Sequence, residues 1–140
     1  MNVNNDNLMT SLDYQVGIGA ASTAANSVVS ADINWTVTGT SSADSITTGS
    51  GADTIVTGNG GDTVVSGAGN DNITGTVDAD LLIGGAGNDS LTGGLGADVY
   101  EFDANFGSDS VQDPVQGTDK DLLVFNDTKV IPARMFGQKE

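Results

Sequence analysis

The sequence predicts an all-β fold in which the chain winds as a parallel solenoid, and three features of its 140 residues favour that fold. A nine-residue unit repeats seven times over residues 39–101 without an insertion. Most units begin with a Gly-rich stretch, and they end with three residues drawn largely from Thr, Val, Ile and Leu. Because glycine permits tight turns and branched side chains favour strands, each unit is expected to form one turn and one short strand.

The repeat units, read from residue 39, are GTSSADSIT, TGSGADTIV, TGNGGDTVV, SGAGNDNIT, GTVDADLLI, GGAGNDSLT and GGLGADVYE. Their sixth position is always Asp: Asp44, Asp53, Asp62, Asp71, Asp80, Asp89 and Asp98. Their eighth position is always apolar or aromatic: Ile46, Ile55, Val64, Ile73, Leu82, Leu91 and Tyr100. A period kept over seven units marks a repeat architecture, and the eighth side chain is expected to point inward and build the core.

Two units bring the chain back to the same side, so Asp residues 18 positions apart are expected to stack at the strand spacing of about 4.7–4.9 Å. One stack, the Asp44 row, contains Asp44, Asp62, Asp80 and Asp98. The other stack, the Asp53 row, contains Asp53, Asp71 and Asp89. Neighbouring carboxylates in a row repel one another, and a cation between successive turns would relieve that repulsion.

The ligands available to such a cation are oxygen atoms of Asp side chains and of turn carbonyl groups. This set favours Ca²⁺ over zinc or copper, and also over Mg²⁺, which demands strict octahedral geometry. The rows contain five gaps between neighbouring Asp residues, so about five calcium ions are expected. The predicted ligand residues are the seven Asp of the two rows, Asp78, and the turn residues Gly49, Gly51, Gly58, Gly60, Gly67, Gly69, Gly85, Gly87, Gly94 and Gly96.

Two turns depart from the glycine pattern. Thr40 and Ser42 replace the two glycines of the first unit, and Thr76 and Asp78 replace those of the fifth. We expect these turns to bind calcium weakly or irregularly; alternatively, Asp78 adds one more carboxylate ligand.

The composition is strongly acidic, with a formal charge of −15 at pH 7 and no Lys or Arg in residues 1–119. This charge opposes binding to nucleic acid or insertion into an anionic membrane, and it favours a cationic partner. The absence of Cys and His removes thiolate and imidazole ligands and His-based catalysis, so we expect that the protein is not an enzyme. Because the core is thin, the chain is expected to fold only when cations bind.

The units closely resemble the nonapeptide GGxGxDxUx of RTX (haemolysin-type calcium-binding) proteins. This resemblance implies a right-handed parallel β-roll loaded with calcium, and secretion by a type I exporter without a cleaved signal peptide. The first residues, MNVNNDNLMTSLDYQ, lack the positively charged region of a cleaved signal peptide, and no apolar run is long enough to span a membrane. An extracellular or cell-surface location is therefore expected.

Short segments are expected to cap both ends of the roll. Upstream, the alternation of Ile33, Trp35 and Val37 predicts a strand that covers the first coil. Downstream, FDANFGSDSVQDPVQGTDKDLLVF resembles the segment that closes RTX blocks. Its side chains available to cover the last coil are Phe102, Phe106, Val111, Leu123 and Phe125. The predicted division is an N-terminal flank at 1–38, the roll at 39–101, a C-terminal cap at 102–127 and a tail at 128–140.

Two further features lie in the C-terminal part. A subgroup of RTX proteins undergoes calcium-triggered cleavage at Asp-Pro, which occurs here as Asp113-Pro114, although this dipeptide is also an ordinary turn signal. The segment DLLVFNDTKVIPARMFGQKE, residues 121–140, resembles the N-terminal region of S-adenosylmethionine:tRNA ribosyltransferase-isomerase. That segment is too short for catalysis, so no activity is expected from it.

Together these features predict a calcium-binding structural module of a secreted or cell-surface bacterial protein that folds on extracellular calcium. Two alternatives stay open: a self-assembling or adhesive surface unit, and the noncatalytic C-terminal module of a secreted enzyme such as an alginate epimerase, protease or lipase. Val65, Leu81, Ile83 and Val99 are expected to form an outward-facing apolar stripe. Such a stripe needs a cover, either residues 16–31 or a second copy of the chain as a homo-oligomer partner.

Overall fold

The computed structural model describes residues 14–17, 26–27, 33–114 and 119–126. Within these residues the chain forms twelve strands and no helix, which confirms the all-β prediction. No helix in this part of the chain has the length and apolar character needed to cross a membrane. In chain order the strands are β1 (Tyr14–Gly17), β2 (Asn26–Ser27), β3 (Trp35–Thr38), β4 (Ser45–Thr47), β5 (Thr54–Val56), β6 (Thr63–Val65), β7 (Asn72–Val77), β8 (Leu81–Ile83), β9 (Ser90–Leu95), β10 (Val99–Asp103), β11 (Ser110–Gln112) and β12 (Leu122–Asn126).

The strands form two parallel sheets, and consecutive strands alternate between them. The odd-strand sheet has the order β1-β3-β5-β7-β9-β11, and the even-strand sheet has the order β2-β4-β6-β8-β10-β12. Within the repeat each strand residue pairs with the residue 18 positions further along, as Ile55 does with Ile73 and Val64 with Leu82. The predicted coil of two units is therefore confirmed.

The core consists of apolar side chains that fill the space between the two sheets. The eighth residue of every unit is at most 1% exposed, whereas the seventh and ninth residues are half-buried or exposed. This period of two confirms that the eighth side chain points inward. Each buried Val, Leu or Ile contributes about 1.5–3 kcal/mol by leaving water, so the column is the main apolar contribution to the fold.

The strand β3 has a different place from the one expected for a cover of the first coil. It pairs with β5 on one side and with β1 on the other, so it is an internal strand of its sheet. Trp35 and Val37 are buried, and Val37 pairs with Ile55 of the inward column. The coil pattern therefore begins upstream of residue 39, and β1 rather than β3 is the end strand.

The C-terminal segment supplies the last strand of each sheet, since β11 pairs with β9 and β12 pairs with β10. Phe102, Phe106 and Phe125 form an aromatic cluster with ring centroids 5.0–5.9 Å apart. Phe106 and Val111 pack against the core as expected. Leu123 and Phe125 are 49% and 62% exposed, so these two cover the last coil only in part. β12 is the edge of its sheet among the described residues, and this position leaves its side chains open to water.

The predicted apolar stripe lies on the outer face of the even-strand sheet, and its four side chains are half-buried. Val65 pairs with Ile83, and Leu81 pairs with Val99, so the stripe consists of two adjacent columns. Leu122, which is 54% exposed, pairs with Val99 and extends the second column.

The two segments expected to act outside the repeat are described only in part. Of residues 16–31, residues 16–17 belong to β1 and residues 26–27 are β2, and both strands lie at the ends of the sheets rather than over the stripe. Of residues 121–140, residues 122–126 form β12. The predicted tail at 128–140 lies outside the described residues.

Candidate metal centre

The turns of successive coils lie directly on one another. A Cβ atom placed on Gly87 would be 1.7 Å from the carbonyl oxygen of Gly69, and one on Gly58 would be 1.8 Å from that of Thr40. Because no side chain fits at these distances, both positions require glycine. Eight of the ten predicted turn glycines also have a positive φ: Gly58, Gly60, Gly67, Gly69, Gly85, Gly87, Gly94 and Gly96.

The other two predicted turn glycines, Gly49 and Gly51, make equally close contacts. The carbonyl oxygen of Gly49 lies 2.1 Å from the Cβ position of Gly67. A Cβ on Gly51 would be 2.0 Å from the carbonyl oxygen of Ile33. The glycines therefore let the backbone of each turn approach the carbonyl group of the turn one coil earlier.

The Asp side chains form two ladders that run along the solenoid. The backbone N–H of Asp44 donates to Oδ1 of Asp62 at 2.7 Å, and that of Asp62 donates to Oδ1 of Asp80 at 2.8 Å. The same contact joins Asp53 to Asp71 at 2.8 Å in the other row. One oxygen of every row carboxylate after Asp44 is thus fixed by the coil before it, so the predicted rows are present.

The second oxygen of these carboxylates is buried without a hydrogen-bond partner in the described part of the chain. All seven Asp are at most 4% exposed. The unpartnered atoms are Oδ2 of Asp53, Asp62, Asp71, Asp80, Asp89 and Asp98, and Oδ1 of Asp44. A buried charged oxygen without a partner costs several kcal/mol, so a cation bound beside these oxygens would stabilise the fold.

These oxygens point into the turns. A Cβ on Gly75 would be 2.4 Å from Oδ2 of Asp80, and a Cβ on Gly84 would be 2.3 Å from Oδ2 of Asp89. Both glycines are the first residue of the unit that contains the Asp. An all-oxygen site beside a flexible glycine turn suits Ca²⁺, which accepts carboxylate and carbonyl ligands in variable number. The residues present therefore fit a calcium ion.

Burial shifts the acidity of the ladder. It raises the pKa of Asp80 from 3.8 to about 7 and the pKa of Asp89 to about 6, and neighbouring carboxylates of the same row add to both rises. Burial also raises the pKa of Asp62, Asp71 and Asp98. Without a cation, part of the ladder would therefore hold protons close to neutral pH.

Both ladders continue beyond the repeat, and the nine-residue pattern did not predict this. The backbone N–H of Asp89 donates to Oδ1 of Asp109 at 2.9 Å, and that of Asp98 donates to Oδ1 of Asp121 at 3.0 Å. The separations are 20 and 23 residues instead of 18, so the fixed period misses both partners. The sequence signal that remains is an Asp followed by an apolar residue two positions later, as in Asp109-Ser-Val111 and Asp121-Leu-Leu123.

At the other end, Trp35 takes the place of an Asp in the Asp53 row. Its backbone N–H donates to Oδ1 of Asp53 at 2.8 Å, as the Asp residues do in later coils. Its side chain brings no carboxylate and lies in the hydrophobic core. The Asp53 row therefore begins at Asp53, although the coil it belongs to begins earlier.

The first repeat turn uses its carboxylate differently from the others. Oδ2 of Asp44 accepts hydrogen bonds from the backbone N–H of Thr40 at 2.6 Å and from the Thr40 hydroxyl at 3.0 Å. The Thr40 hydroxyl, which a glycine would lack, thus adds a partner for Oδ2, the oxygen that is unpartnered in the later units of both rows. Weaker calcium binding at this turn stays a prediction.

In the fifth turn, Thr76 and Asp78 each form a hydrogen bond to the turn one coil earlier. Asp78 has a positive φ of 74° where most other units have glycine, and its exposed carboxylate accepts a hydrogen bond from the backbone N–H of Gly60 at 3.2 Å. The Thr76 hydroxyl donates to the carbonyl oxygen of Gly58. A role for Asp78 as a calcium ligand stays a prediction.

The parallel coils and the buried acid ladder define a repeat solenoid whose turns are suited to hold cations. A model of the family described as RTX calcium-binding nonapeptide repeat (4 copies) matches residues 36–64, 65–100 and 74–111, which together cover more than half of the chain. The chain belongs to this family. Its repeats are a calcium-binding structural module, and this confirms the resemblance found in the sequence. No significant match was found among solved structures.

Proposed function

We propose that this chain is a structural module of a secreted or cell-surface protein, that it folds when it binds calcium outside the cell, and that it has no catalytic role. The observation that carries the proposal is the double row of buried carboxylates, each with one oxygen that lacks a partner. Such a core is costly without cations and becomes favourable when they bind.

We further propose which residues hold the ions. The ligands are the Asp carboxylates of the two rows and carbonyl groups of the stacked glycine turns. With Asp109 and Asp121 included, the Asp44 row has four gaps between neighbours and the Asp53 row has three. The expected number of internal sites thus rises from about five to seven. Seven Ca²⁺ ions would nearly neutralise the formal charge of −15.

The energetics support folding that depends on calcium concentration. At a free calcium concentration ten times the Kd, each site stabilises the folded state by about 1.4 kcal/mol, and seven sites by about 10 kcal/mol. This sum is in the range of the net stability of a small domain, about 5–15 kcal/mol. Extracellular calcium modules often have a Kd of about 10⁻⁴ to 10⁻³ M. With such affinities the chain stays unfolded in a cell and folds after export.

The resemblance to RTX proteins supports type I export, and it also supports a place within a larger secreted protein. In that arrangement residues 39–101 form the main part of the roll, and the flanking segments close its ends. The noncatalytic C-terminal module of a secreted enzyme such as an alginate epimerase, protease or lipase remains the alternative. If the roll were joined to such a domain, the proposed calcium sites would stay the same.

Self-assembly is a second candidate function, and the apolar stripe favours it. Val99 joins Leu81 on one side and Leu122 on the other, so apolar side chains continue over three adjacent strands. The described residues of segment 16–31 lie at the sheet ends, which favours a second copy of the chain as the cover over that segment. This role would be added to calcium-dependent folding and would not replace it.

Far-UV circular dichroism during a calcium titration tests the main proposal. The chain is expected to be largely disordered in EGTA and to gain β structure as free calcium rises towards millimolar, because the ladder needs cations to be buried. Mg²⁺ at equal concentration is the control and should induce far less β structure. Equal β content in EGTA and in calcium at neutral pH would contradict the proposal.

A further inference from the structure

Three carboxylates meet at the C-terminal end of the roll. Asp98, Asp113 and Asp121 each bring an oxygen into a group in which all three oxygens lie within 4.8 Å of one another. Asp98 and Asp121 are consecutive members of the Asp44 row, whereas Asp113 belongs to neither row. This gap in the ladder therefore has a third carboxylate close to its two row members.

The three residues come from different parts of the fold. Asp98 immediately precedes β10, and Asp121 immediately precedes β12, so both belong to the even-strand sheet. Asp113 follows directly after β11, the last strand of the odd-strand sheet. The group thus connects the last strands of both sheets at the point where the segment after the repeat closes the coil.

A separate observation places an unsatisfied atom at this group. Asp98 is 1% exposed, and its Oδ2 has no hydrogen-bond partner in the described chain. A Cβ on Gly93 would be 2.1 Å from this Oδ2 and 2.4 Å from the hydroxyl oxygen of Tyr100. The buried Oδ2 of Asp98 and the Tyr100 hydroxyl therefore both lie beside Gly93.

Tyr100 links that space to Asp113. Its hydroxyl accepts a hydrogen bond from the backbone N–H of Gly93 at 2.8 Å and donates one to Oδ2 of Asp113 at 3.3 Å. The tyrosine ring is fully buried in the core, so the hydroxyl has a fixed position. Tyr100 therefore connects Asp113, which lies outside the repeat, to the turn at Gly93, where Oδ2 of Asp98 also lies.

We propose that Asp113 is a ligand of a calcium ion bound between Asp98 and Asp121, and that this ion fastens the closing segment to the last coil. The inference rests on the proposed calcium-dependent folding and adds to it a site built by a residue outside the nonapeptide units. The three carboxylates bring three negative charges into one small space. A hard divalent cation neutralises these charges better than the hydrogen bonds from the Tyr100 hydroxyl to Asp113 and from the Asp98 N–H to Asp121 do. The ion would join the two sheets at their C-terminal end.

Native mass spectrometry of the calcium-loaded chain tests this proposal by counting bound ions. Asp113→Asn keeps the shape of the side chain but removes its charge, and it is expected to bind one ion fewer per chain than the wild type. Asp103→Asn is the matched control, because Asp103 is an exposed residue at the end of β10 and outside the group; its count should equal that of the wild type. Circular dichroism in calcium confirms that both variants are folded.

The results separate this inference from the proposed function. A wild-type chain that binds no calcium overturns both. A wild type that binds calcium, together with an Asp113→Asn variant that keeps the full count, overturns only the site at Asp113.

Terbium luminescence provides a measurement that does not depend on the folding of that variant. Tb³⁺ replaces Ca²⁺ at oxygen sites and emits when energy passes to it from a nearby aromatic ring. An ion bound at Asp113 would lie next to Tyr100, so Tyr100→Phe should lose the part of the aromatic-sensitised emission that Tyr100 supplies while it keeps its β structure in calcium. Emission of equal intensity in the wild type and in Tyr100→Phe overturns the proposal.

Discussion

The backbone N–H of Asp53 donates a 2.8 Å hydrogen bond to Oδ1 of Asp71, which lies 18 residues further along the chain. The carbonyl oxygen of the same Asp53 accepts a hydrogen bond from the backbone N–H of Asn72 at 2.8 Å. Asp53 is therefore joined to the next coil by two hydrogen bonds, one to the side chain of Asp71 and one from the backbone of Asn72. Because Oδ1 is used for this contact, Oδ2 is the carboxylate oxygen of Asp71 that has no hydrogen-bond partner in the described chain.

Position within a row should determine how much calcium binding a substitution removes. Asp71 has a ladder neighbour on each side, Asp53 and Asp89, whereas Asp44 is the first carboxylate of its row in the described residues. Asn keeps an oxygen for the ladder hydrogen bond but loses the charge. Asp71→Asn is therefore expected to weaken two sites and Asp44→Asn one, as measured by equilibrium dialysis against calcium. Equal losses in the two variants would contradict the stacked arrangement.

Replacing a stacked turn glycine should destabilise the calcium-loaded roll. Gly87 has a φ of 143°, and its Cβ would lie 1.7 Å from the carbonyl oxygen of Gly69, so Gly87→Ala forces two turns apart. We expect a loss of about 2–5 kcal/mol in the free energy of unfolding. Denaturant unfolding in saturating calcium measures it.

Gly61→Ala is the control for that experiment. Gly61 is exposed, has no positive φ, and its Cβ would approach only the carbonyl oxygen of Ala79 at 3.0 Å. Its effect should be within about 1 kcal/mol. A Gly87→Ala variant as stable as Gly61→Ala would show that the turns are not packed as described.

Without calcium, β structure should increase as the pH falls. In the folded chain, burial raises the pKa of Asp80 to about 7 and that of Asp89 to about 6, whereas in an unfolded chain both are near 3.8. A raised folded-state pKa means that folding takes up protons, so the contribution to stability is fully present below pH 3.8 and is lost as the pH rises through 6 to 7. Circular dichroism of a dilute sample in EGTA should show more β structure at about pH 5 than at about pH 8.

Calcium should reverse this dependence, because it binds the ionised carboxylates and competes with protons. The calcium concentration at half-folding should therefore rise as the pH is lowered from about 8 to about 5. A midpoint that does not change with pH would mean that the raised pKa values play no part in calcium binding.

Asp109 should bind calcium although it lies outside the nonapeptide units. It accepts the ladder hydrogen bond from Asp89 and has an Oδ2 without a partner, as the repeat Asp residues do. Asp109→Asn is expected to lose one bound ion in native mass spectrometry, while Asp103→Asn loses none. An unchanged count in Asp109→Asn would limit the sites to the repeat itself.

The apolar stripe should control self-association. Leu81 and Ile83 are half-buried on the outer face of the even-strand sheet, so changing both to Thr leaves the inward column intact. If a second copy of the chain covers the stripe, this double variant should sediment as a monomer in calcium where the wild type sediments as an oligomer, and the calcium stoichiometry should not change. A wild type that is monomeric at all concentrations tested would rule out assembly through this face.

The sequence by itself determined the coil, the two Asp rows and the inward column. These features depend on short-range rules, because a strand places alternate side chains on opposite faces and glycine marks the turns. The nine-residue period is therefore enough to predict these features from Asp44 to Tyr100, and no distant contact has to be known.

Only the tertiary structure decided what happens where the period is broken. Asp109 and Asp121 join the ladders because β11 and β12 pair with the preceding strands, although they lie 20 and 23 residues after their ladder partners instead of 18. Lengthening a loop costs little free energy, so strand pairing rather than residue spacing sets the register there. The same pairing makes β3 an internal strand and brings Asp113 to Asp98, contacts between chain segments that no local pattern encodes.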